Sequence, residues 1–520
     1  MAILGLLSLL VAASSALSAL LSKPPSVLQP TPPMGYNNWA HVMCGLNESL
    51  FVETAQAMAR NGLLAAGYNR INLDDCWSNF DRASNGSMAW NAEKFPRGLS
   101  WLTNYLNSLG FIAGIYTDAG ILSCGGFPGA YDGCNMRTGT EAEYKAVYGR
   151  WHDVLSEQNP PMVFSESAPA YFAEAANLTD WYSVMGWVRE YGQLARHSRD
   201  SLVWNSTLYW PDITGWDSIM FNYGQEVRLA RYQKPGYFND PYFLNVDHFD
   251  YTLNEKKSQF ALWSSLSAPL ILSTSVPRLT PDELAYLTNK DIIAINQDIL
   301  ALQATLVSQS DTWDVLTKSL ANGDRLLTIL NRGNFTGSHI VSFDQIGLPT
   351  ASKVSVKDLW TGETISVKHA VLAKSIESHA TAIFRLSGFG GAKVVIATGK
   401  IFNTYSLNTL TFSGKNLHWS TSTGDVSQVW QAKGDGTVRN LAYPAQCLTS
   451  TGLGKQVGIK GCSGCSAQKW GYYISGNLMS KSSRGCLTEA ASGVVTVSGC
   501  LYEDNTQVVA LPGGVEVIGN

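Results

Sequence analysis

Two adjacent carboxylates, Asp74 and Asp75, are followed directly by Cys76 and Trp77. Carboxylate oxygens accept hydrogen bonds from sugar hydroxyls, and an indole ring presents a flat apolar face on which a sugar ring can lie. An isolated pair of aspartates is more often a helix cap or a solvated corner. Because this pair follows an apolar segment at 71–73 that has the pattern of a buried strand, we expect it to lie at a strand end that a ligand can reach.

The elements that must position these residues follow a regular alternation. Between about residues 32 and 300, short apolar segments alternate with helix-like amphipathic segments. This pattern favours a TIM-type (β/α)8 barrel, in which the carboxyl ends of the strands carry the chemistry. The polar residues at such ends are Trp39, Asp74, Asp75, Glu166, Asp200 and Asp240. The segments predicted as strands are 34–39, 69–73, 111–116, 162–165, 193–197, 237–239 and 269–272.

The predicted barrel is one βα unit short, because these segments number seven and a closed barrel of this type has eight strands. The interval between 111–116 and 162–165 has room for one helix. Its loop reads CGGFPGAYDGC at 124–134 and contains no apolar run suited to a buried strand. The sequence therefore predicts a barrel that lacks its fourth strand.

Two all-β regions follow the barrel. Alternating residues predict an antiparallel β-sandwich that ends before the glycine-rich segment 387–393. The units QVW at 428–430 and QKW at 468–470 then repeat, and a Cys-Leu-Thr sequence occurs twice. This repeat resembles the ricin-type β-trefoil, although its third unit, QVV at 507–509, lacks the tryptophan. The predicted domains are a signal peptide at 1–22, a catalytic barrel at 23–300, a sandwich at 301–388 and a trefoil at 389–520.

Three motifs occur in order along the barrel: PPMGYNNW at 32–39, INLDDCW at 71–77 and GIYTDAG at 114–120. Together they resemble glycoside hydrolase family 27, the retaining α-galactosidases and their relatives, over about residues 30–388. The resemblance implies hydrolysis by two carboxyl groups, one a nucleophile and the other an acid/base. The family's nucleophile opens an Asp-Gly-Cys sequence, which implies Asp132, and its acid/base follows an arginine by four residues, which implies Asp200.

The resemblance also implies the residues that contact the sugar. Asp74 and Asp75 match ligands of the 4- and 6-hydroxyls, and Glu166 matches a residue that excludes a 2-acetamido group. Two positions depart from the family pattern, since Ala130 replaces a lysine and Tyr242 replaces an aspartate. The residues implied to bind substrate are Trp39, Asp74, Asp75, Tyr116, Glu166, Tyr171 and Arg196.

The nine cysteines favour disulfides over a zinc site, because the CxxC formed by Cys462 and Cys465 has no second pair at zinc-ligand spacing. The odd count leaves one thiol over, and from the residues alone this is either Cys462 or Cys465. The family resemblances imply the pairing. The implied disulfides are Cys44–Cys76, Cys124–Cys134, Cys447–Cys462 and Cys486–Cys500.

The amino-terminal segment has the apolar run and small residues of a secretory leader, and five N-x-S/T sequons accompany it. We therefore expect a secreted, extracellular glycoprotein. Charged residues make up 15% of the chain and its net charge is −4, which argues against nucleic acid as a partner. No later run is long and apolar enough to span a membrane. The sequon asparagines are Asn47, Asn85, Asn177, Asn205 and Asn334.

The function that the resemblance implies is hydrolysis of terminal non-reducing α-D-galactosyl residues from oligosaccharides, galactomannans or galactolipids. The reaction needs no metal or nucleotide cofactor, and the trefoil is expected to bind polysaccharide. The short barrel, Ala130 and Tyr242 leave two alternatives open. One is a catalytically impaired, carbohydrate-binding homologue. The other is a truncated gene model, in which the native gene carries further codons beside Tyr131.

Overall fold

The computed structural model describes residues 27–131, 136, 138–201, 213–350 and 353–519, and the side chains of 130 and 131 also lie outside the description. No helix within these ranges is long and apolar enough to cross a membrane. The predicted Asp132, Cys134 and Asn205 lie outside the described residues. The fold is a parallel α/β barrel domain followed by two antiparallel β domains.

The barrel domain alternates strands and helices as expected. Three of its helices begin with reciprocal capping, which satisfies orphan amides of the first turn; the pairs are Thr214 with Asp217, Thr252 with Glu255 and Thr280 with Glu283. The strands are β1 (Met34–Asn37), β2 (Arg70–Leu73), β3 (Ile112–Ile115), β4 (Gly120–Leu122), β5 (Pro128–Tyr131), β6 (Ser165–Glu166), β7 (Leu194–Arg196), β8 (Phe238–Asp240) and β9 (Leu270–Leu272). The helices are α1 (Trp39–Val42), α2 (Glu48–Arg60), α3 (Leu99–Ser108), α4 (Glu141–Ser156), α5 (Thr179–Tyr191), α6 (Gly215–Glu226), α7 (Leu253–Ser265), α8 (Pro281–Leu287) and α9 (Lys290–Asn296).

The parallel strands form two arcs, β3-β2-β1-β9 and β6-β7-β8. A parallel bridge between Leu244 and Leu272 continues the sheet beside β9 after β8. At the other side no described strand joins β3 to β6, and the short antiparallel hairpin β4–β5 occupies part of that interval. Only nine residues separate Tyr131 from Glu141, where α4 begins. The barrel thus lacks a fourth parallel strand in the part of the chain that the structure describes.

The open edge changes the surroundings of β3. Every residue of β1 and β9 is buried, whereas Ile112 and Ile115 of β3 are 48% and 47% exposed. Isoleucine is among the residues most often fully buried, and a sheet edge with unpaired amides invites pairing with another chain. These two side chains mark the place where a neighbouring strand and its helix would otherwise cover β3.

The second domain is a sandwich of a six-stranded antiparallel sheet, in the order β10-β11-β12-β17-β14-β15, and the two-stranded β13-β16. Its core is aliphatic and is centred on Val307, Leu327, Ile329 and Val356. The strands are β10 (Thr305–Gln309), β11 (Trp313–Ser319), β12 (Arg325–Asn331), β13 (Gly337–Ser342), β14 (Lys353–Asp358), β15 (Thr364–Lys368), β16 (Ala370–Ile376) and β17 (Thr381–Ser387).

The third domain repeats one hydrogen-bonding device three times. The side-chain oxygens of Gln428, Gln468 and Gln507 each accept a backbone N–H at 2.8 Å, from Thr423, Ser463 and Leu501. The third unit therefore keeps its glutamine although Val509 stands where the others have tryptophan. The strands are β18 (Ala397–Lys400), β19 (Phe402–Asn403), β20 (Thr409–Phe412), β21 (Leu417–Ser420), β22 (Val429–Ala432), β23 (Val438–Asn440), β24 (Gln446–Thr449), β25 (Lys455–Gln456), β26 (Gly458–Gly461), β27 (Trp470–Tyr473), β28 (Leu478–Ser480), β29 (Cys486–Glu489), β30 (Val495–Ser498), β31 (Val509–Ala510) and β32 (Val517–Ile518).

Three disulfides are formed among the described cysteines, namely Cys44–Cys76, Cys447–Cys462 and Cys486–Cys500. The first joins the segment after β1 to the end of β2, beside Asp75. The last two close single repeats of the trefoil. Cys465 is the exposed free thiol, which resolves the alternative between Cys462 and Cys465.

Candidate active site

A carboxylate held by two different strands forms the centre of the site. Arg196 ends β7, Asp200 follows it by four residues, and Trp39 follows β1. The Trp39 Nε1–H donates to Asp200 Oδ2 at 3.0 Å, and the Arg196 guanidinium donates to Oδ1 of the same carboxylate. Both oxygens are thereby oriented, yet the Asp200 side chain remains 25% exposed. A carboxyl group that is fixed in direction and still open to solvent can exchange a proton with a bound substrate.

Asp74 shares this site with Asp200. Its Oδ2 accepts a hydrogen bond from Asn37 Nδ2 at 2.7 Å, and its backbone N–H donates to Asn38 Oδ1 at 2.8 Å. Burial raises the pKa of Asp74 to about 6, and the negative charges of Asp75 and Asp200 act in the same direction. Asp74 and Asp200 are therefore close enough to interact electrostatically, and they differ in their surroundings.

Aromatic side chains form the wall beside these acids. The Tyr116 hydroxyl donates to Asp118 Oδ2 at 2.7 Å, and Trp77 Nε1 donates to the Tyr116 carbonyl oxygen at 2.8 Å. Tyr171 is 40% exposed. Partial burial raises its pKa to about 12, and the nearest charges are Arg196, Asp118 and Asp200. Tyr116 and Tyr171 thus lie around the same centre.

Tyr242, which departs from the family pattern, is buried in the site. Its backbone adopts a positive φ of 83°, and its N–H donates to Asp240 Oδ1 at 2.8 Å. The Arg196 guanidinium carbon lies 5.4 Å from the centroid of the Tyr242 ring. Burial, followed by the neighbouring Asp200 charge, raises the pKa of the Tyr242 hydroxyl well above its usual range. The aromatic ring therefore packs against the same arginine that orients Asp200.

Asp75 does not have the free carboxylate that a sugar ligand requires. It is 4% exposed, and its two oxygens accept from the backbone amides of Cys76 at 2.6 Å and Gly125 at 2.8 Å and from Ser123 Oγ at 2.8 Å. Its partners Ser123 and Gly125 connect β4 to β5. Asp75 therefore anchors the β4–β5 hairpin to the end of β2, and its contact with a sugar stays a prediction.

Glu166 is turned away from the site. It is 2% exposed and pairs in register with Ala195 of β7, so both point to the helical layer, while the next residue, Arg196, points to the opposite face. A Cβ added at Gly192 would meet its carboxyl oxygen at 2.3 Å. Burial raises the pKa of Glu166 well above its usual range, which favours the neutral form. The structure thus places Glu166 on the helical side of β6, and its contact with the 2-position of a sugar stays a prediction.

Two of the predicted residues, Asp75 and Glu166, are buried and do not point into the site. The predicted residues that the structure brings together are Trp39, Asp74, Tyr116, Tyr171, Arg196 and Asp200. The structure also places three residues at the site that the sequence analysis gave no role, and each of them lies within a quoted motif. These additional residues are Asn37, Asn38 and Asp118. The predicted nucleophile, Asp132, lies outside the described residues and remains a prediction.

Comparison with family models assigns each of the three domains. Residues 31–298 match the alpha galactosidase A model, residues 310–386 its C-terminal beta sandwich domain, and residues 397–508 the ricin-type beta-trefoil lectin domain. The chain belongs to the alpha galactosidase A family. The predicted family and the predicted order of barrel, sandwich and trefoil are confirmed.

Individual relatives agree with this assignment. Alpha-galactosidase A of Aspergillus niger is 49% identical over 522 residues, covering 95% of this chain and 93% of the relative. A solved putative alpha-galactosidase/melibiase of Bacteroides fragilis has a TM-score of 0.61 at 28% identity and covers 69% of this chain and 80% of its own. The structure of alpha-galactosidase I from Mortierella vinacea has a TM-score of 0.63 at 23% identity, with coverages of 71% and 100%, and supports the fold.

The alignment with the Aspergillus niger relative also has a length difference. It extends over 522 positions but includes 95% of the 520 residues of this chain, which is about 494, so this chain has no residue at about 28 positions. A shortfall of this size is enough for one strand together with its helix. The open edge of β3 is the place where the described barrel lacks such a unit.

Proposed function

We propose that this chain is a retaining α-galactosidase that releases terminal non-reducing α-D-galactosyl residues from oligosaccharides, galactomannans or galactolipids. The observation that carries the proposal is the Asp200 carboxylate, which Trp39 and Arg196 orient beside Asp74. The curated relatives at 46–49% identity bear the name alpha-galactosidase A over nearly their full length. Impaired homologues that only bind carbohydrate are not favoured by these comparisons.

The reaction proceeds by two displacements at the anomeric carbon. Asp132 attacks this carbon while Asp200 gives its proton to the departing oxygen, so the glycosidic bond breaks as the glycosyl-enzyme ester forms. Asp200, now a carboxylate, then takes a proton from water, and the hydroxide displaces Asp132 to give galactose with retained configuration. Arg196 and Trp39 hold Asp200 in direction through both steps, and no metal ion is needed.

Substrate recognition falls to the open acceptors and rings. Asp74 accepts from sugar hydroxyls, and Trp39, Tyr116 and Tyr171 supply the aromatic walls on which the ring lies. The oxygens of Asp75 already accept three hydrogen bonds and those of Asp74 accept two, so Asp74 has the greater remaining capacity to accept from a sugar. We therefore expect weaker substrate binding than a site with two free aspartates would give.

The first test is release of nitrophenol from p-nitrophenyl α-galactoside by the purified chain, compared with Asp132→Asn. We expect activity in the unaltered chain and its loss in the variant, because an amide cannot form the glycosyl-enzyme. Asp311→Asn removes an exposed carboxylate between β10 and β11 of the sandwich and serves as the matched control. A folded chain without activity would instead leave a carbohydrate-binding homologue as the function.

The role of Asp200 has its own signature. We expect Asp200→Ala to lower kcat/KM for raffinose by about 10²–10⁴, the usual contribution of general acid–base catalysis, because its alkoxide leaving group needs a proton. The rate at which the glycosyl-enzyme forms from p-nitrophenyl α-galactoside should fall much less, because nitrophenolate is a good leaving group that needs no proton. Equal losses with both substrates would show that Asp200 is not the acid.

Secretion and glycosylation form part of the same proposal. The four sequon asparagines that the structure describes, Asn47, Asn85, Asn177 and Asn334, are all exposed, so an oligosaccharide can be attached without rearrangement. We propose an extracellular enzyme whose trefoil holds it on polysaccharide. Expression in a secreting fungal host should yield the chain in the medium, with a mass that falls after glycan removal. Retention of a glycan-free chain inside the cells would contradict this.

A further inference from the structure

A cavity of about 280 Å³ lies where the three domains meet. The barrel contributes the end of α5 and the segment after α6, the sandwich contributes β11, and the trefoil contributes β18, β27 and the terminal segment 510–519. The cavity is separate from the candidate active site, because none of the residues gathered around Asp200 lines it. Its volume is at the lower end of the range for small-molecule sites.

The lining of this cavity carries charge of one sign. Six lysines and arginines line it, and no aspartate or glutamate belongs to the described lining. The whole chain has a net charge of −4, so this concentration of positive charge is local. Like charges on low-dielectric walls reinforce one another and attract anions. The cationic residues are Arg189, Arg228, Arg231, Lys234, Lys318 and Lys400.

The hydrogen bonds of these cations leave their charge largely uncompensated. Arg228 Nη1 donates to the Thr404 carbonyl oxygen at 3.1 Å, and Arg231 Nε donates to the Ile474 carbonyl oxygen at 3.1 Å. Lys318 Nζ donates to Ser267 Oγ at 2.6 Å. These acceptors are neutral, so they satisfy donors without cancelling charge.

The carboxylates that act on the cations stand outside the lining. Arg189 Nε is 3.8 Å from Glu190 Oε1, while Glu503, Asp298 and Asp314 interact electrostatically with Arg231, Lys318 and Lys400 respectively. They do not offset the cost of burying two ammonium groups, because desolvation lowers the pKa of Lys318 and of Lys400 to about 7. Desolvation and the nearby Arg189 likewise lower the pKa of Lys234. Burial of these cations beside one another thus disfavours their charged forms.

We propose that this cavity binds a small multivalent oxyanion, of the phosphate or polycarboxylate class, at the junction of the three domains. Such an anion places two or more negative charges among cations contributed by all three domains. The walls also contain Leu302, Phe402 and Pro512, which can pack against the carbon skeleton of an organic acid. Because the anion contacts every domain, its binding fixes their relative positions and stabilises the folded chain.

The test is the unfolding temperature of the full chain in rising concentrations of sodium phosphate or, separately, sodium citrate, with sodium chloride holding the ionic strength constant. We expect the temperature to rise and then saturate. In Arg189→Gln/Lys234→Gln, half of the rise should require at least a tenfold higher concentration, because two of the six cations are removed. The control, Arg60→Gln/Lys415→Gln, removes two exposed cations elsewhere and should behave as the unaltered chain.

The outcomes separate specific binding from general salt effects. A rise that does not saturate and is equal in all three proteins would reflect exclusion of the salt from the surface and would overturn the proposal. A saturating rise with citrate alone assigns an organic acid, and one with phosphate alone assigns inorganic anion. If the double variant does not fold, calorimetric titration of the unaltered chain with phosphate or citrate tests the same proposal. We expect binding at one site per chain, and the absence of any binding heat would contradict the proposal. None of these readouts depends on galactosidase activity.

Discussion

At the residue scale, neighbouring acids of one short sequence have different surroundings and therefore different uses. Asp74 is partly buried and its two oxygens accept one hydrogen bond each, from Asn37 Nδ2 and from the Asp75 backbone N–H, whereas the oxygens of the buried Asp75 accept three. Glu166 is buried on the far side of its strand. Each difference follows from which donors the fold places within reach, and each has a measurable consequence.

Glu166→Gln separates the two roles open to this residue. A glutamine has the shape of the neutral carboxyl that burial favours, so we expect kcat/KM for an α-galactoside to change by less than about tenfold and the unfolding temperature to stay within a few degrees. If Glu166 contacted the 2-hydroxyl of the sugar, loss of the charged acceptor would cost about 1.5–3 kcal/mol in kcat/KM, roughly 10- to 150-fold. Steady-state kinetics with the folded variant decide between them.

Asp74 predicts a defined pH dependence of stability. Because its pKa is raised from 3.8 to about 6, the folded chain holds a proton that the unfolded chain releases between these values. Stability from this group is thus present below pH 4 and is lost as the pH rises through 6. We expect Asp74→Asn to gain about 1–3 kcal/mol relative to the unaltered chain between pH 4 and pH 7. Denaturant unfolding at both pH values measures this, and Asp311→Asn should show no such gain.

At the scale of elements, the incomplete sheet is the defining feature. Among the described residues β3 pairs with β2 alone, and its isoleucines are about half exposed where a fourth strand and its helix would lie. The nearby hairpin β4–β5 covers Asp75 and does not replace the missing parallel strand. An exposed apolar edge of this kind lowers solubility more than it lowers the stability of the folded chain.

Ile112→Thr/Ile115→Thr tests this distinction. Both side chains are about half exposed, so we expect a loss of stability below about 2 kcal/mol together with slower aggregation. Ile71→Thr on the adjacent, fully buried position of β2 is the control and should cost more than 2 kcal/mol. Light scattering on warming and denaturant unfolding give the two quantities. Unchanged aggregation in the double variant would show that the edge of β3 is not the associating surface.

The strands were predictable from the sequence because apolar runs such as 71–73 and 270–272 have the pattern of buried strands, and the missing strand was predictable because no such run exists at 124–134. The orientation of Glu166 was not predictable. Successive residues of a strand point to opposite faces. A difference of one residue in where β6 begins therefore decides whether the Glu166 side chain points to the sugar site or to the helical layer. The hydrogen bonds that Asp75 accepts were also not predictable, because their donors Ser123 and Gly125 are distant from it in sequence.

At the scale of the whole molecule, buried polar contacts bind the domains together. Tyr223 of α6 donates to Asp314 Oδ2 of β11 at 3.0 Å, and Tyr182 of α5 is hydrogen-bonded to Thr404 beside β19 at 2.8 Å. Both contacts are buried. We therefore expect barrel and sandwich to unfold together rather than as independent units.

Tyr223→Phe measures the strength of this junction. Removing the hydroxyl leaves the buried Asp314 carboxylate short of a donor, so we expect a loss of about 1–3 kcal/mol. Tyr405→Phe is the matched control, because its hydroxyl donates to the Ala176 carbonyl oxygen at the exposed surface and its loss should cost less than 1 kcal/mol. Denaturant unfolding followed by tryptophan fluorescence compares them. Equal losses would mean that the Asp314 contact carries no special weight.

The pairing of β1 with β9 cannot form until most of the barrel domain has been translated. Gly35 and Ile271 are partners in the sheet, yet the ribosome makes one long before the other. At about 5–20 residues per second, roughly 10 to 50 seconds pass before the first strand meets its final neighbour. During that time the apolar side chains of β1, β2 and β3 cannot be buried in a closed barrel. In the folded chain, one edge of β3 still has no neighbouring strand among the described residues. Production of this chain in a cell should therefore depend on chaperones that hold its nascent amino-terminal half.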